Sequence, residues 1–277
     1  MSSLSLADAG VTDRSEGEVA PPRFTVPFGL ILPPALFVIG LVAIWAVLSA
    51  AGVIPRYILP APDAILNEFI RNYPVLTKHG LTTIGEAVAG FLIGNVAAVV
   101  MAILFSYSGL LKDAFYPFAL ISRAIPIIAF TPLLVIVLGR GQPPVIAVVS
   151  IAVYFPAFLN MMRGLASADV DYHEMLHTLS ASRWQRLRIV DWPASLPYLF
   201  AALKVSASIA FISALVAEWI GANQGLGYLV VISSQYFKLP TLWAAIIVAA
   251  VLTLLLLAIV VIVERLLHRW TATATEL

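Results

Sequence analysis

The chain has 277 residues, a net charge of +1 and no cysteine, and 61% of its residues are hydrophobic whereas only 11% are charged. Soluble domains carry roughly 25% charged residues, so this composition excludes an ordinary soluble domain. The balanced charge gives no electrostatic basis for binding nucleic acid. The absence of cysteine excludes disulfides, thiolate chemistry and cysteine-ligated zinc. The class that fits is a polytopic α-helical membrane protein.

Six apolar blocks follow a polar segment of mixed charge at residues 1–26. That segment has no basic stretch running directly into an apolar one, so the sequence shows no cleaved signal peptide. Each block approaches or exceeds the ~20 residues that a helix needs to cross a bilayer, and none alternates with the period of two of a β-barrel strand. We therefore predict an all-α transmembrane helical bundle with about six spans. The blocks are residues 27–51, 81–107, 116–138, 143–162, 198–220 and 242–263.

Lysine and arginine are concentrated in the segment 163–197 and near the C-terminus. Because positively charged residues favour the cytoplasmic side of a membrane, we predict that this segment and both chain termini are cytoplasmic. The predicted organisation is a cytoplasmic tail at 1–26, a transmembrane domain at 27–270 and a short cytoplasmic tail at 271–277. The segment 163–197 is a loop within that domain.

The first part of the loop at 163–197 predicts a short helix over residues 169–179, with Asp169 or Asp171 as its N-cap. One edge of this helix is apolar, whereas the loop as a whole is too polar to span a membrane. Such a helix needs a protein partner or the membrane surface to cover its apolar edge. The residues of that edge are Met175, Leu176 and Leu179.

The second part of the loop predicts another short helix over residues 183–192. The sequence Ser-Ala-Ser at 180–182 interrupts the first helix, and Ser182 is placed to cap the second. Pro193 is expected to end the second helix, because proline has no backbone N–H and does not continue a helix easily.

The stretch His-Glu-Met-Leu-His at 173–177 matches H-E-x-x-H, in which two histidines bind zinc and the glutamate acts as general base. A membrane-embedded zinc protease is therefore one hypothesis. Such a site needs a third ligand, and none of the available residues stands in a recognisable ligand motif. The competing hypothesis is that His173 and His177 are solvated or interface side chains beside a glutamate with another role. The available third ligands are Asp191, Glu218, Glu264 and His268.

The same loop resembles the EAA loop of ABC importer permeases, whose pattern is E-A-A-x3-G-x9-I-x-L-P. Glu174 stands at the glutamate and Pro193 at the final proline, with the spacing between them kept. Other positions depart from the pattern: Met175 and Leu176 replace the alanines, Ser180 the glycine, Val190 the isoleucine and Trp192 the leucine.

The flanking sequence strengthens the resemblance and points to the nitrate, sulfonate and taurine branch of these permeases. The similar stretches are YILPAP (57–62), SRAIPIIAFTPLLVIVLG (122–139), ASRWQRLRIVDWPASLPYLFAALKVS (181–206) and AEWIGANQGLGYLV (217–230). The resemblance covers roughly residues 30–270. It implies the type I ABC importer permease fold and a location in the bacterial inner (cytoplasmic) membrane.

The resemblance also implies partners. Two permease copies, here a homodimer, would form the pathway, with two ATPase subunits below and an external substrate-binding protein above. The chain has no G-x-x-x-x-G-K-[ST] motif, so ATP and magnesium would be bound by the ATPase. This chain would then bind no cofactor and no metal, and it would not be an enzyme. The residues that the resemblance assigns to ATPase coupling are Glu174, Met175, Leu176, Leu179, Ser180, Ala181, Ser182, Trp184 and Pro193.

Ionisable residues in or near the apolar blocks are the candidates for a pathway or gate. Arg123 and Lys204 are close to the cytoplasmic side and could instead extend to the interface. Glu86 and Glu218 are near the outer ends of their blocks, and Glu218 could instead stabilise the bundle through hydrogen bonds. The polar residues Asn223 and Gln224 follow Glu218. The candidate pathway or gate residues are Arg123, Lys204, Glu218, Asn223 and Gln224.

The resemblance predicts a small anionic substrate such as a sulfonate, nitrate or taurine. Permeases for pyrimidine-type vitamin precursors or riboflavin are similar in sequence, and no residue separates these substrate classes. Substrate choice in such systems resides largely with the binding protein.

Overall fold

The computed structural model describes residues 28–52, 55, 58–108, 114–115, 117, 121 and 126–274. These residues form helices and connecting turns, and no strand occurs among them. The predicted all-α fold class is confirmed. The helices are α1 (Phe28–Ala50), α2 (Pro62–Arg71), α3 (Tyr73–Ser106), α4 (Thr131–Leu138), α5 (Gln142–Leu165), α6 (Val170–Thr178), α7 (Arg183–Arg186), α8 (Trp192–Gly221), α9 (Leu226–Gln235) and α10 (Leu239–Ala274).

Four helical segments of the described chain are long and apolar enough to cross a membrane. They correspond to the second, fourth, fifth and sixth predicted blocks. The first block forms α1, of 23 residues. The third block is only partly described, as a short 3₁₀ turn at Ile127–Phe130 followed by the eight residues of α4. The four segments are Tyr73–Ser106, Gln142–Leu165, Arg183–Gly221 and Leu239–Leu267.

The chain divides into two compact units, residues 1–45 and residues 46–277. The first unit contains most of α1. In the second, α3, α5 and α8 pack against one another, and α9 and α10 pack on α8. An apolar cluster lies at the centre of these contacts. It includes Ala87, Phe91, Val145, Val149, Val153, Phe211 and Ala214.

Two glycines allow α3 and α5 to approach closely. A Cβ atom on Gly94 would lie 2.3 Å from the carbonyl oxygen of Ser150, and one on Gly90 would lie 2.5 Å from the Val149 side chain. Gly85, on the same helix, has no such neighbour within 4 Å. Small residues therefore set the distance between these two helices, as they do in many membrane bundles.

The loop helix α6 begins and ends close to its predicted positions. It spans Val170–Thr178, and the Asp169 side chain accepts a hydrogen bond from the Asp171 backbone N–H at 3.3 Å. Ser182 caps α7, as predicted, in a capping box with Gln185. Local side chain to backbone hydrogen bonds of this kind are encoded within a few residues of sequence.

The prediction that Pro193 ends the second loop helix is wrong. After α7 the chain forms a π-helical turn at Leu187–Asp191 and continues into α8, so Arg183–Gly221 is one helical segment of 39 residues. Pro193 lies in the first turn of α8. Proline lacks a backbone N–H, and at Pro193 this missing donor lies at the junction between the wider π turn and the regular α-helix. The helix therefore continues without a break.

Candidate functional site

The helix α6 ends in a Schellman motif at Ser180. The backbone N–H of Ala181 donates to the carbonyl oxygen of Leu176 at 2.9 Å, and that of Ser180 donates to the carbonyl oxygen of His177 at 2.9 Å. Ser180 has a φ angle of +52°, in the left-handed region that favours glycine. The chain therefore turns sharply at the position where the EAA pattern has glycine.

The two sides of α6 differ in exposure. Leu176 is buried, whereas Met175 and Leu179 are 51% and 69% exposed and Trp184 of α7 is 64% exposed. An apolar groove of about 410 Å³ lies beside Met175 and extends to Pro193. Exposed apolar side chains next to a groove are typical of a surface that binds a protein partner. Of the remaining loop residues, Glu174, Ser182 and Pro193 are exposed and Ala181 is half-buried.

His173 of the H-E-x-x-H stretch pairs with a carboxylate rather than with His177. Its Nε2 atom lies 3.4 Å from Oδ1 of Asp191, and Nε of Arg186 lies 3.8 Å from Oδ2 of the same residue. Asp191 is 8% exposed and belongs to the π turn. Among the residues described, no three histidine, aspartate or glutamate side chains are grouped so that they could hold a metal ion.

The candidate pathway residues lie in different environments. The Nζ atom of Lys204 donates to both carboxylate oxygens of Glu264, at 2.9 and 3.0 Å, and joins α8 to α10. Asn223 and Gln224 are exposed in the turn between α8 and α9, whereas Glu218 is fully buried. The structure does not bring Lys204 and Glu218 together, since they lie in separate parts of α8. Arg123 lies outside the described residues.

The N-terminus of α9 has no capping side chain of its own, because its N-cap residue is Gly225. Three side chains from other helices accept its first hydrogen bonds instead. The N–H of Gly225 donates to Nδ1 of His79 at 3.0 Å, that of Leu226 to Oγ1 of Thr83 at 2.8 Å, and that of Gly227 to Oε2 of Glu218 at 2.5 Å. A helix N-terminus normally leaves these groups without partners, so α3 and α8 together stabilise the start of α9.

Glu218 is the centre of this arrangement. Its Oε1 atom accepts a further hydrogen bond from the Thr83 hydroxyl at 2.7 Å. The side chain of Glu86, one helical turn after Thr83, contacts the Glu218 carboxyl. We call His79, Thr83, Glu86 and Glu218 the α9 cap.

Close packing around the α9 cap explains two glycines of the stretch GANQGLGYL. A Cβ atom on Gly225, whose φ is +112°, would lie 2.2 Å from the carboxyl carbon of Glu218. One on Gly227 would lie 2.1 Å from the carbonyl oxygen of Leu215. Only glycine lets the backbone of α9 approach the carboxylate this closely.

Sequence reasoning named Glu218 but missed the roles of His79 and Thr83. Their partners lie 135 to 146 residues away along the chain, and no local pattern pairs them. The signal in the sequence was the unusual glycine content of residues 221–227 next to a glutamate in an apolar block.

Residues 94–273 match the family described as binding-protein-dependent transport system inner membrane component. The chain belongs to this family. It is therefore a transport subunit of an ABC importer, a multi-pass inner-membrane component and not a protease, and the expected ABC importer permease identity is confirmed.

Individual relatives agree on the class of protein. The chain is 31% identical to a probable ABC transporter permease of Haemophilus influenzae, over 79% of this chain and 89% of the relative. It is 30% identical to the riboflavin transport permease RibX of Chloroflexus aurantiacus, over 91% and 93%. It is 29% identical to the putative aliphatic sulfonate permease SsuC of Bacillus subtilis, over 87% of each chain.

A solved structure shows the fold. A chain from an inward-facing crystal form of the MetNI methionine ABC transporter matches with a TM-score of 0.59 and 18% sequence identity. The match covers 69% of this chain and 95% of that chain. The described helices therefore have the type I ABC importer permease fold.

Proposed function

We propose that this subunit imports a small anion such as a sulfonate, nitrate or taurine, as one half of a homodimer that works with two ATPase subunits and an external substrate-binding protein. Family membership supports the dependence on a binding protein and an ATPase. The similarity to SsuC supports a sulfonate, and the nearly equal similarity to RibX makes riboflavin or a pyrimidine-type vitamin precursor the second candidate.

The observation that carries the proposed coupling to an ATPase is the exposed apolar side of α6. The side chains of Met175, Leu179 and Trp184 are exposed, and no other part of the described chain covers them. The helices α6 and α7 in this loop nevertheless have capping hydrogen bonds at their N-termini. ATP and magnesium would be bound by the partner, and movement of the partner would be transmitted through α6. Arg123, Lys204, Glu218, Asn223 and Gln224 remain the proposed pathway or gate residues.

The coupling proposal can be tested by purifying the importer from its native membranes with the variants Leu179→Asp and Phe237→Asp. Both side chains are highly exposed and apolar, at 69% and 81%, and Phe237 lies in the turn between α9 and α10, away from α6. Wild type and Phe237→Asp should retain a subunit that hydrolyses ATP, and Leu179→Asp should lose it. Retention by Leu179→Asp would contradict the coupling role of α6.

The zinc content and proteolytic activity of purified wild type and Glu174→Gln test the assignment against the protease hypothesis. Because the glutamate of H-E-x-x-H is the general base and not a zinc ligand, stoichiometric zinc in both proteins, with proteolysis only in wild type and no associated ATPase, would contradict the importer assignment.

Transport by the reconstituted complex tests the substrate class. The complex should be placed in liposomes with its binding protein, and uptake of labelled taurine should be measured in competition with nitrate, an alkanesulfonate and riboflavin. Competition by the anions supports the proposed substrate class, and competition by riboflavin alone supports the second candidate.

A further inference from the structure

Glu218 is better placed than Glu86 to carry a negative charge. Its carboxylate accepts hydrogen bonds from the Thr83 hydroxyl and from the backbone N–H of Gly227. The Gly227 N–H belongs to the first turn of α9, which carries the partial positive charge of a helix N-terminus. Charge-assisted hydrogen bonds of this kind are stronger than neutral ones, so of the two carboxyl groups Glu218 gains more from carrying the charge.

Glu86 lies in the opposite situation. Its side chain is 1% exposed, and neither carboxyl oxygen receives a hydrogen bond from an N–H or O–H group of the described residues. Its polar neighbour is the Glu218 carboxyl. An ionised Glu86 would lose its hydration without gaining a donor, and it would face a second negative charge. A neutral Glu86 has an O–H group that can donate to Glu218.

No cation of the described residues forms an ion pair with either carboxyl group. The ion pairs among the described residues involve His173, Arg186 and Lys204 with other carboxylates, and none includes Glu86 or Glu218. His79 is the other titratable side chain of the α9 cap. Its Nδ1 atom accepts the N–H of Gly225 and so carries no proton, which makes the ring neutral. A proton between the two carboxyls is the remaining way to remove one charge.

We infer that Glu86 and Glu218 share one proton, which Glu86 carries and donates to Glu218, and that this protonated pair positions α9 against α3 and α8. The N–H groups at the start of α9 and the Thr83 hydroxyl then face a single negative charge. The pair is a positioning element and does not need to touch the transported molecule.

Infrared spectroscopy of the purified full-length chain tests the proton directly. A protonated carboxyl group has a C=O stretching band that a carboxylate lacks, so the difference spectrum of wild type minus Glu86→Gln should show this band. Glu264→Gln is the matched control, because the Glu264 carboxylate pairs with Lys204 at 2.9 Å and its removal should not affect the band. A wild type without the band, or a band that is lost in Glu264→Gln, would overturn the inference.

Transport gives a second readout, which rests on the proposed function, whereas the infrared readout does not. Glu86→Gln keeps an N–H donor to Glu218 and should transport within about twofold of wild type, whereas Glu86→Leu removes the donor and should be about tenfold slower or worse. Rescue by glutamine separates a donor role from simple packing. Equal loss in both variants would contradict the positioning role. Failure of wild type to transport would count against the proposed function alone.

Discussion

Ser180 carries a backbone conformation that most residues avoid. Its φ of +52° closes the Schellman motif at the end of α6, and the left-handed conformation costs a residue with a Cβ roughly 1–2 kcal/mol. In the sequence, Ser180 stands where the EAA pattern has glycine. A residue kept in this conformation fixes the direction in which the chain leaves the exposed side of α6.

The variant Ser180→Gly should therefore stabilise the protein by about 1 kcal/mol, since glycine adopts this conformation without the steric penalty. The measurement is thermal unfolding of the purified protein in detergent. Ala181→Gly is the control, because the neighbouring residue does not have a positive φ, and it should lower the unfolding temperature. A lower unfolding temperature for Ser180→Gly would show that the hydroxyl makes a stabilising contact that outweighs the strain.

The residues of H-E-x-x-H show what a motif alone leaves open. The sequence presented His173 as either a zinc ligand or an interface side chain, and Asp191 as a possible third ligand. The structure pairs the two with each other and adds Arg186, while His177 remains exposed. The spacing of the motif was correct for a helix, but a metal site depends on which third side chain approaches, and that is decided by tertiary packing.

At the scale of helices, the crossing of α3 and α5 depends on Gly94. The nearest atom to a Cβ at this position would be the carbonyl oxygen of Ser150, at 2.3 Å. A backbone atom cannot rotate away as the end of a side chain can. Any larger residue must therefore separate the two helices.

Gly94→Ala should destabilise the protein by about 2 kcal/mol, whereas Gly85→Ala should be neutral or stabilising by up to about 1 kcal/mol because alanine favours helix. The two variants make the same chemical change on the same helix, and only Gly94 has a close neighbour. Thermal unfolding of both proteins compares them directly. Equal effects would show that the α3–α5 distance is not set at this glycine.

The helices that could be predicted are those encoded locally. Asp169 and Ser182 cap α6 and α7 as expected because their hydrogen bonds reach only two or three residues along the chain. The continuation through Pro193 and the short helix α9 were not predicted. The first depends on a π turn, which has no simple sequence signal, and the second on cap residues that come from α3 and α8.

At the scale of the whole molecule, the predicted orientation can be tested cleanly because the chain contains no cysteine. Asp171 of α6 and Lys238 before α10 are both exposed. Asp171 comes before the start of α8 and Lys238 after its end, and the 30 residues of α8 span about 45 Å at ~1.5 Å per residue. A single cysteine at either position is therefore the only thiol present for labelling.

We expect a membrane-impermeant maleimide to label Lys238→Cys in intact spheroplasts. It should label Asp171→Cys only after the membrane has been permeabilised. The expectation follows from the arginines of the loop at 163–197, which favour the cytoplasm. Denatured samples provide the control for total reactivity. The reverse labelling pattern would mean that α6 faces outward, away from any ATPase.

The π turn at Leu187–Asp191 has a consequence for how this chain tolerates change in length. Each residue of an α-helix advances the chain by about 100° around the helix axis. A π turn accommodates one extra residue in a wider turn, so the helix on either side of Leu187–Asp191 keeps nearly the same orientation. Loss of a single residue here would restore regular α-helix and leave α6 on nearly the same side of α8. Loss or gain of a residue in the regular part of α8 would instead rotate one part of the helix relative to the other by about 100° and disturb its contacts. The π turn is therefore the part of this helical segment that best tolerates a change in length.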